Sequence, residues 1–234
     1  MPELIIALDF ASRARALTMV DRLGEAADFY KVGLELYTRS GPAVVRELSR
    51  RKKRVFLDLK LHDIPNTVSG AVRAAANLGV ELLTIHIAGG CKMMEVAALA
   101  AEDQVALLGV TLLTSLSPSD VEDVWGHPVS SLREQVVRLA TLAHESGVDG
   151  IVASPQEAQA LRRRLGKEFR VVTPGIRLPG VEVNDQARVA TPAQAARAGA
   201  SHLVIGRAVT AAADPAAALE QVRRSLESAG NPVA

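Results

Sequence analysis

Aromatic residues, cysteine and long hydrophobic stretches are all scarce in this chain of 234 residues. Phe, Tyr and Trp make up 3% of the sequence although 48% of the residues are hydrophobic, so Ala, Val, Leu and Ile must fill the core. Such side chains suit parallel strands that helices cover on both faces of the sheet. No apolar run approaches the ~20 residues that cross a membrane, so we expect no membrane partner.

Charge and cysteine content narrow the functional classes further. The formal net charge is +1, so no large field of one sign is available to attract nucleic acid. Cys91 is the single cysteine, which excludes an intrachain disulfide and favours a reducing compartment. The first apolar run, residues 4–8, is too short for a signal-peptide core and follows no basic residue. We therefore expect a cytoplasmic protein.

Short apolar runs alternate with longer stretches rich in Ala, Leu and Arg. The predicted strands are residues 4–8, 29–32, 55–59, 82–85, 106–112, 150–153, 171–173 and 202–205. The predicted helices are residues 13–23, 41–51, 65–78, 92–101, 131–145, 155–165, 192–198 and 215–228. Eight strand–helix units in this length favour an α/β protein with a (β/α)8 TIM barrel, forming one domain over residues 1–234. A doubly wound open sheet is the alternative fold.

The predicted boundaries carry local signals of their own. Ser154, Thr191 and Asp214 each precede a proline and are predicted N-caps. Glycines follow three predicted helices as C-terminal caps would, at residues 79, 147 and 199. Two connections, residues 113–130 and 174–189, are long for a barrel, and long loops of this kind often bind ligands or close over them.

Polar residues cluster at the ends of the predicted strands, where a barrel of this kind has its active site. In chain order these residues are Asp9, Lys31, Asp58, Lys60, His86, Thr114, Ser115, Ser117, Arg177, Gly206 and Arg207.

Asp58 and Lys60 are two residues apart on one strand, so their side chains are predicted to lie on the same face. If that face is the barrel interior, they form a desolvated pair of opposite charges, which is tolerated only when the charges are paired. Lys31 and Asp63 extend this pair to an array of two positive and two negative charges. A purely structural ion pair is the alternative.

Gly206 and Arg207 follow an apolar strand and precede a segment that is compatible with a short helix. Free backbone N–H groups at a helix start bind anions, and an arginine adds a bidentate contact to phosphate. Since the loop after the eighth strand is a frequent phosphate site in such barrels, we predict one here. A plain turn with a surface arginine is the alternative.

The segment of residues 58–67, D-L-K-L-H-D-I-P-N-T, closely resembles the signature of orotidine 5′-phosphate decarboxylases, D-x-K-x-x-D-I-P-N-T. Other segments resemble motifs of this family in the family's order, namely residues 7–9, 30–33, 113–115, 173–177, 185–186 and 204–207. The resemblance covers essentially the whole chain and is nearest to the compact bacterial form. It implies a lyase that converts orotidine 5′-monophosphate to UMP and CO₂ in pyrimidine biosynthesis.

The resemblance also implies roles for individual residues. Lys60 would donate a proton to carbon 6 of the pyrimidine, in a charged catalytic network with Lys31, Asp58 and Asp63. Asp9 and Lys31 would bind the ribose, and Thr114 and Ser117 would lie at the pyrimidine. Ile64 and Thr67 would bind substrate beside Asp63. The phosphate would be bound by Arg177, Gln186, Gly206 and Arg207. Asp63 and Thr67 would reach into the neighbouring subunit's site, which implies a homodimer.

The implied reaction explains why charged side chains are needed in place of a cofactor. Loss of CO₂ from carbon 6 leaves electrons in an in-plane orbital that the ring π system delocalises poorly. With no cofactor as an electron sink, the protein must stabilise the carbanion electrostatically. The ammonium of Lys60 would do this and then deliver the proton. We expect neither a cofactor nor a metal.

Several features have simpler interpretations or leave rivals open. The basic run of residues 50–54 is predicted to be a solvated helix end. His86 is not predicted to bind a metal, because no second histidine lies nearby at ligand spacing. Cys91 and Trp125 are predicted to be packing residues.

Two other functions remain as alternatives to the decarboxylase. One rival is a related phosphosugar barrel, an epimerase or sugar-phosphate decarboxylase that uses a divalent metal. The other is a non-catalytic nucleotide-binding barrel that acts as a regulator or scaffold.

Overall fold

The protein is a closed barrel of parallel strands in the computed structural model. The structure describes residues 1–126, 128–129, 131–178 and 190–230, with residues 229 and 230 described by their backbone alone. Within these residues the strands are β1 (Glu3–Ala7), β2 (Phe29–Gly33), β3 (Arg54–Leu61), β4 (Leu82–His86), β5 (Ala106–Val110), β6 (Gly150–Val152), β7 (Arg170–Thr173) and β8 (His202–Ile205). Each strand pairs with the next along the chain, and β8 pairs with β1. The predicted barrel is confirmed, and the open sheet is excluded.

Helices surround the barrel. They are α1 (Arg13–Leu23), α2 (Leu34–Ser40), α3 (Ala43–Arg50), α4 (Pro65–Ala76), α5 (Cys91–Ala101), α6 (Pro118–Trp125), α7 (Leu132–Glu145), α8 (Pro155–Leu165), α9 (Pro192–Arg197), α10 (Arg207–Thr210) and α11 (Pro215–Gly230). None of the helices in the described part of the chain is both long and apolar enough to cross a membrane.

The core has two layers because successive side chains of a strand point to opposite faces. One buried cluster fills the barrel interior with Ile5, Ala7, Phe29, Phe56, Leu82, Leu108, Val172 and Val204. A larger cluster lies between the strands and the helices and consists mostly of aliphatic side chains. The interior cluster therefore contains only two aromatic side chains, Phe29 and Phe56, and aliphatic side chains make up the rest of it.

The structure differs from the sequence prediction in two connections. The helix predicted over residues 41–51 is α3 alone, and a separate helix, α2, precedes it. Gly41, with φ of 58°, ends α2 by donating its N–H to the carbonyl of Tyr37. The long connection at residues 113–130 contains α6, whose N-cap Ser117 forms a capping box with Asp120. A proline after the N-cap and Gly126 after the last turn were the local signals for α6.

The predicted helix caps are largely confirmed. Thr191 forms a capping box with Gln194, and Asp214 accepts a hydrogen bond from the backbone N–H of Ala217. Ser154 is the N-cap residue of α8, but its hydroxyl bonds the side chain of Glu157 rather than the backbone. The three predicted C-terminal glycines all have positive φ, at residues 79, 147 and 199.

The basic run of residues 50–54 is not a solvated helix end, and that prediction was wrong for most of its members. Arg50 and Lys52 are exposed, but Lys53 donates to the carbonyls of Gly24 and Ala27. Arg54 begins β3 and bonds the carboxylates of Glu3 and Glu81. Its guanidinium also lies 4.1 Å from the ring centroid of Phe29. Arg54 thus closes the amino-terminal end of the barrel.

Candidate active site

A cavity of about 600 Å³ opens at the carboxyl ends of the strands. Its floor includes Ala7, Phe56 and Val204, which also belong to the packed barrel interior. The other lining residues are Asp9, Lys31, Asp58, Lys60, Val110, Leu112, Leu113, Thr114, Ser115, Val152, Pro174, Gly175, Arg177, Gly206 and Arg207. The apolar floor and charged rim give a site that can bind a polar ligand and exclude water from its deeper end.

Four charged side chains form a row along the cavity. Lys31 Nζ lies 2.8 Å from Asp9 Oδ1 and 3.7 Å from Asp58 Oδ2. Lys60 Nζ lies 2.8 Å from the other oxygen of the same carboxylate, Asp58 Oδ1. Charges therefore alternate in sign along the row. Asp58 and Lys31 are nearly buried, whereas Asp9 and Lys60 reach the open part of the cavity, with 65% and 38% of their side chains exposed.

The Asp58–Lys60 contact depends on an irregularity in β3. The pairing of β3 with β4 shifts between Leu57 and Leu61, and Lys60 has the left-handed φ of 51°. The backbone N–H of Lys60 donates to Thr84 Oγ1 at 2.8 Å, and the same hydroxyl donates to Asp58 Oδ1 at 3.0 Å. Such bulges re-aim side chains beside active sites. The predicted pair is therefore present, but the regular alternation that predicted it is broken.

The charge state of Asp58 follows from its surroundings. Burial by itself raises the pKa of this carboxyl. The charges of Lys31 and Lys60, with the hydrogen bonds from Lys60 and Thr84, outweigh burial and hold the pKa below its ordinary value. Asp58 is therefore ionised at neutral pH.

Gly33 makes room for the row of charges. A Cβ at this residue would lie 2.9 Å from Lys31 Nζ and 3.1 Å from Asp9 Oδ1. Gly33 pairs with Asp58 in the register of β2 and β3, so it lies beside the centre of the row. The absence of a side chain here lets the ammonium of Lys31 reach both carboxylates.

The residues predicted for the phosphate and pyrimidine ends mostly line the same cavity. Arg177, Gly206, Arg207 and Thr114 are all lining residues. Gly206 is the N-cap of the short helix α10, as the sequence predicted. Gln186 lies outside the described residues.

Ser117 is the N-cap residue of α6. Its hydroxyl forms the capping box of α6 with Asp120, and it is not a lining residue of the cavity. The neighbouring hydroxyl residues Thr114 and Ser115 line the cavity. Its contact with the pyrimidine stays a prediction.

Asp63, Ile64 and Thr67 lie outside the cavity of their own chain. All three are exposed, and Ile64 is an apolar side chain with 67% of its surface exposed. Asp63 Oδ1 accepts a hydrogen bond from the N–H of Ile64. Within one chain Asp63 is therefore not a member of the charged row, and Asp9 occupies the place that was predicted for Asp63.

Two histidines stack beside the site. The rings of His62 and His86 have centroids 5.3 Å apart at an angle of 22°. Burial, followed by the charges of His62 and Lys60, lowers the pKa of His86, so its ring is neutral at pH 7. Across the described ranges, no group of three or more His, Cys, Asp and Glu side chains is arranged to hold a metal ion.

Comparison with known proteins matches this architecture to one family. The family model described as "Orotidine 5'-phosphate decarboxylase / HUMPS family" matches residues 2–222. The chain belongs to that family. The resemblance found in the sequence is therefore confirmed, and the decarboxylase signature corresponds to the bulged end of β3 and the start of α4.

Relatives in this decarboxylase family match over nearly their full length. The orotidine 5′-phosphate decarboxylase of Vibrio campbellii is 50% identical over 230 residues, which are 97% of this chain and 98% of the relative. That of Moorella thermoacetica is 48% identical over 96% of this chain and 92% of its own. The crystal structure of the Lactobacillus acidophilus decarboxylase superposes with a TM-score of 0.86 at 36% identity, covering 97% of this chain and 99% of that one.

Two residues of the site were missed by sequence reasoning. Gly33 lies within residues 30–33, a segment that resembles a motif of the decarboxylase family, but no role was predicted for the glycine itself. Thr84 is a single hydroxyl residue in the otherwise apolar run of residues 82–85, two residues before His86. That isolated threonine was the available signal, since buried hydroxyls require hydrogen-bond partners.

Proposed function

We propose that this protein is an orotidine 5′-phosphate decarboxylase, which releases CO₂ from orotidine 5′-monophosphate and forms UMP in de novo pyrimidine biosynthesis. The observation that carries the proposal is the row Asp9–Lys31–Asp58–Lys60 in a cavity that Arg177 and Arg207 also line. Relatives bearing this name cover nearly the whole chain.

Lys60 acts on the reacting carbon in this proposal. Its ammonium is held by Asp58 at 2.8 Å and is partly open to the cavity. A fixed positive charge at carbon 6 stabilises the carbanion that forms when the carbon–carboxyl bond breaks. The same ammonium then gives its proton to carbon 6, and no electron sink outside the protein is required.

Asp58 and Lys31 maintain the electrostatic arrangement. Asp58 lies beside the departing carboxylate of the substrate and orients Lys60, while Lys31 keeps Asp58 ionised. Asp9 and Lys31 bind the ribose hydroxyls. Their ion pair lies at the more exposed end of the row, where a sugar would enter.

The rest of the substrate contacts residues that follow β5, β7 and β8 in the chain. Thr114 and Ser117 lie near the pyrimidine in this proposal, and the phosphate is bound by Arg177, Gln186, Gly206 and Arg207. A guanidinium presents two parallel donors to a phosphate, which suits Arg207 to this role. Binding energy from the phosphate is remote from carbon 6 but still accelerates the reaction if it organises the site.

The proposed active form is a homodimer. Asp63 and Thr67 are exposed and lie outside their own cavity, and Ile64 between them is an exposed apolar side chain. The family resemblance implies that Asp63 and Thr67 reach the neighbouring subunit's site, and their exposure outside their own cavity is consistent with this. In the dimer these residues complete the partner's site, with Asp63 joining the partner's row of charges.

Three further properties stay predictions. They are a cytoplasmic location, a single domain over residues 1–234 and the absence of nucleic-acid partners.

The test is conversion of orotidine 5′-monophosphate to UMP by the purified protein in excess EDTA. We expect rapid turnover that the chelator does not affect. Turnover that requires added Mg²⁺ would contradict the cofactor-free reaction and favour a metal-dependent phosphosugar barrel, to be tested with ribulose phosphates. Tight UMP binding without any turnover would instead favour a non-catalytic nucleotide-binding protein.

A further inference from the structure

Thr84 is a fully buried residue of β4 that does not line the cavity. Its hydroxyl makes two hydrogen bonds, accepting from the backbone N–H of Lys60 and donating to Asp58 Oδ1. One oxygen therefore connects the main chain of one charged residue with the side chain of the other. Both residues belong to the row on which the proposed decarboxylation depends.

The first of these bonds replaces a backbone bond that the bulge removes. The register between β3 and β4 is interrupted between Leu57 and Leu61, so the strand ladder does not continue through Lys60. A buried N–H without a partner is unfavourable, and Thr84 supplies the acceptor. The left-handed conformation of Lys60, which is strained for a residue with a side chain, is thereby held in place.

The second bond fixes the carboxylate. Asp58 Oδ1 accepts from both Thr84 Oγ1 and Lys60 Nζ, and Oδ2 faces Lys31. With a donor on one side and cations on the others, the carboxylate has little freedom to rotate. The position of Lys60 Nζ is thus set from both ends, through its backbone and through its ion-pair partner.

We propose that Thr84 is a positioning residue for the decarboxylation, acting through Lys60 and Asp58 and not through contact with the substrate. This inference rests on the proposed function. A hydroxyl that served packing alone would be replaceable by the methyl group of valine, which has nearly the same shape. A positioning hydroxyl would not, because valine can neither accept from Lys60 nor donate to Asp58.

The chain offers a matched control in Thr173, the last residue of β7. Thr173 is also fully buried, and within the described residues its hydroxyl has no hydrogen-bond partner. Thr84→Val and Thr173→Val therefore make the same chemical change at two buried strand positions. Only at Thr84 does the hydroxyl connect the backbone of Lys60 with the carboxylate of Asp58.

Steady-state kinetics with orotidine 5′-monophosphate test the proposal. We expect Thr84→Val to lower kcat by roughly 10- to 100-fold, the scale of a small displacement of a reacting group, with KM changed less than about threefold. Thr84→Ser keeps the hydroxyl and should restore kcat to within about threefold of the wild type. Thr173→Val should have wild-type kinetics. Equal losses in both valine variants, or a serine variant as slow as the valine variant, would overturn the proposal.

Two further measurements separate positioning from folding. Hydrogen exchange of the Lys60 amide should be slow in the wild type and faster in Thr84→Val, with exchange elsewhere in β3 and β4 unchanged. Asp58 is faced by Lys31 from β2, Lys60 on β3 and Thr84 from β4, and Asp9 lies beyond Lys31. The acid limb of kcat/KM should move to higher pH in Thr84→Val, because Asp58 loses one of the donors that stabilise its ionised form. If Thr84→Val does not fold, Thr84→Ala and Thr84→Ser are compared in the same assays.

The exchange measurement needs no substrate, so it distinguishes two kinds of failure. A wild-type protein that does not decarboxylate the nucleotide would overturn the proposed function, whatever the exchange result. Turnover by the wild type with an unprotected Lys60 amide, or with unchanged protection in Thr84→Val, would overturn the role of Thr84 alone.

Discussion

Lys31 Nζ and Asp9 Oδ1 are 2.8 Å apart, and Gly33 lies directly beside this contact. A Cβ added to Gly33 would lie within 3.1 Å of both atoms, closer than ordinary van der Waals contact. The crowded atoms are the ends of side chains, which can move without unfolding the barrel. Gly33 is therefore a sensitive position for the geometry of the row.

We predict that Gly33→Ala lowers kcat/KM by about tenfold or more while leaving thermal stability nearly unchanged. The added methyl group displaces Lys31 from Asp9 and Asp58, which weakens binding of the ribose and the ionisation of Asp58. Kinetics and thermal unfolding of the same preparation check this. Wild-type kcat/KM with a folded variant would show that the Lys31 contacts tolerate displacement.

We predict that Lys60→Ala reduces turnover by at least about 10³-fold, because both carbanion stabilisation and proton delivery are lost. Binding of UMP should remain within about tenfold of the wild type, since the ribose and phosphate contacts are intact. Lys92→Ala on α5, where the lysine side chain is 78% exposed, serves as the control and should be fully active. Substantial turnover by Lys60→Ala would remove Lys60 from the mechanism.

Arg207→Ala should lower kcat/KM for the nucleotide by roughly 10²-fold or more, although Arg207 contacts no reacting atom in the proposal. The same substitution should have little effect on kcat/KM for orotidine, the corresponding nucleoside, which has no phosphate. Arg224→Ala, at an exposed position of α11, is the matched control. Equal losses with orotidine and its phosphate would place the effect of Arg207 elsewhere than at the phosphate.

Mixed dimers test whether Asp63 is shared between subunits. Lys60→Ala and Asp63→Ala should each be nearly inactive, but a hybrid dimer contains one site with both native residues. Random mixing should therefore restore about a quarter of the wild-type sites, because half of the dimers are hybrids with one working site each. Recovery is measured after the two variants are unfolded together and refolded. No recovery despite hybrid formation would indicate that Asp63 acts within its own chain.

His202, in β8 at the amino-terminal end of the barrel, predicts a dependence of stability on pH. Burial, which outweighs the nearby carboxylate of Glu3, lowers the pKa of its imidazole, and Arg170 and Arg54 lower it further. The unfolded chain then binds the proton more readily than the folded one. The free energy of unfolding should consequently decrease as pH falls below about 6.5, and level off below the folded-state pKa.

The variant His202→Asn should have a flatter dependence between pH 7.5 and 5.5 in urea unfolding. Some slope should persist, because burial also lowers the pKa of His86. The exposed His144 provides a control, and His144→Asn should retain the wild-type slope. An unchanged slope in His202→Asn would mean that other groups cause the acid sensitivity.

The sequence predicted the barrel because its information is local and repeated. Apolar runs recur in every unit, and prolines after N-caps or glycines after the last turn mark several of the helices, so an error in one unit does not change the fold. The errors occurred where a local pattern had two solutions. Residues 34–40 form a helix of their own, and α6 lies within the connection that the sequence predicted to be a long loop.

The candidate site was predicted less completely. Asp9, Lys31, Asp58 and Lys60 were all named, because the residues that end parallel strands meet at one end of a barrel. Their order was not predicted, since Asp9 takes the place expected for Asp63 within one chain. Sequence spacing cannot determine that order, because the contacts cross from β1 to β2 to β3.

The sequence by itself determined the alternation of strands and helices, the end of the barrel that carries the charges, and the identity of the charged residues. Only the tertiary structure decided how these charges meet. The shift in pairing between β3 and β4 turns Lys60 into a left-handed conformation, and Thr84 from the neighbouring strand holds it there. The physical reason is that a side chain's direction at a bulge depends on the partner strand, which is distant in sequence.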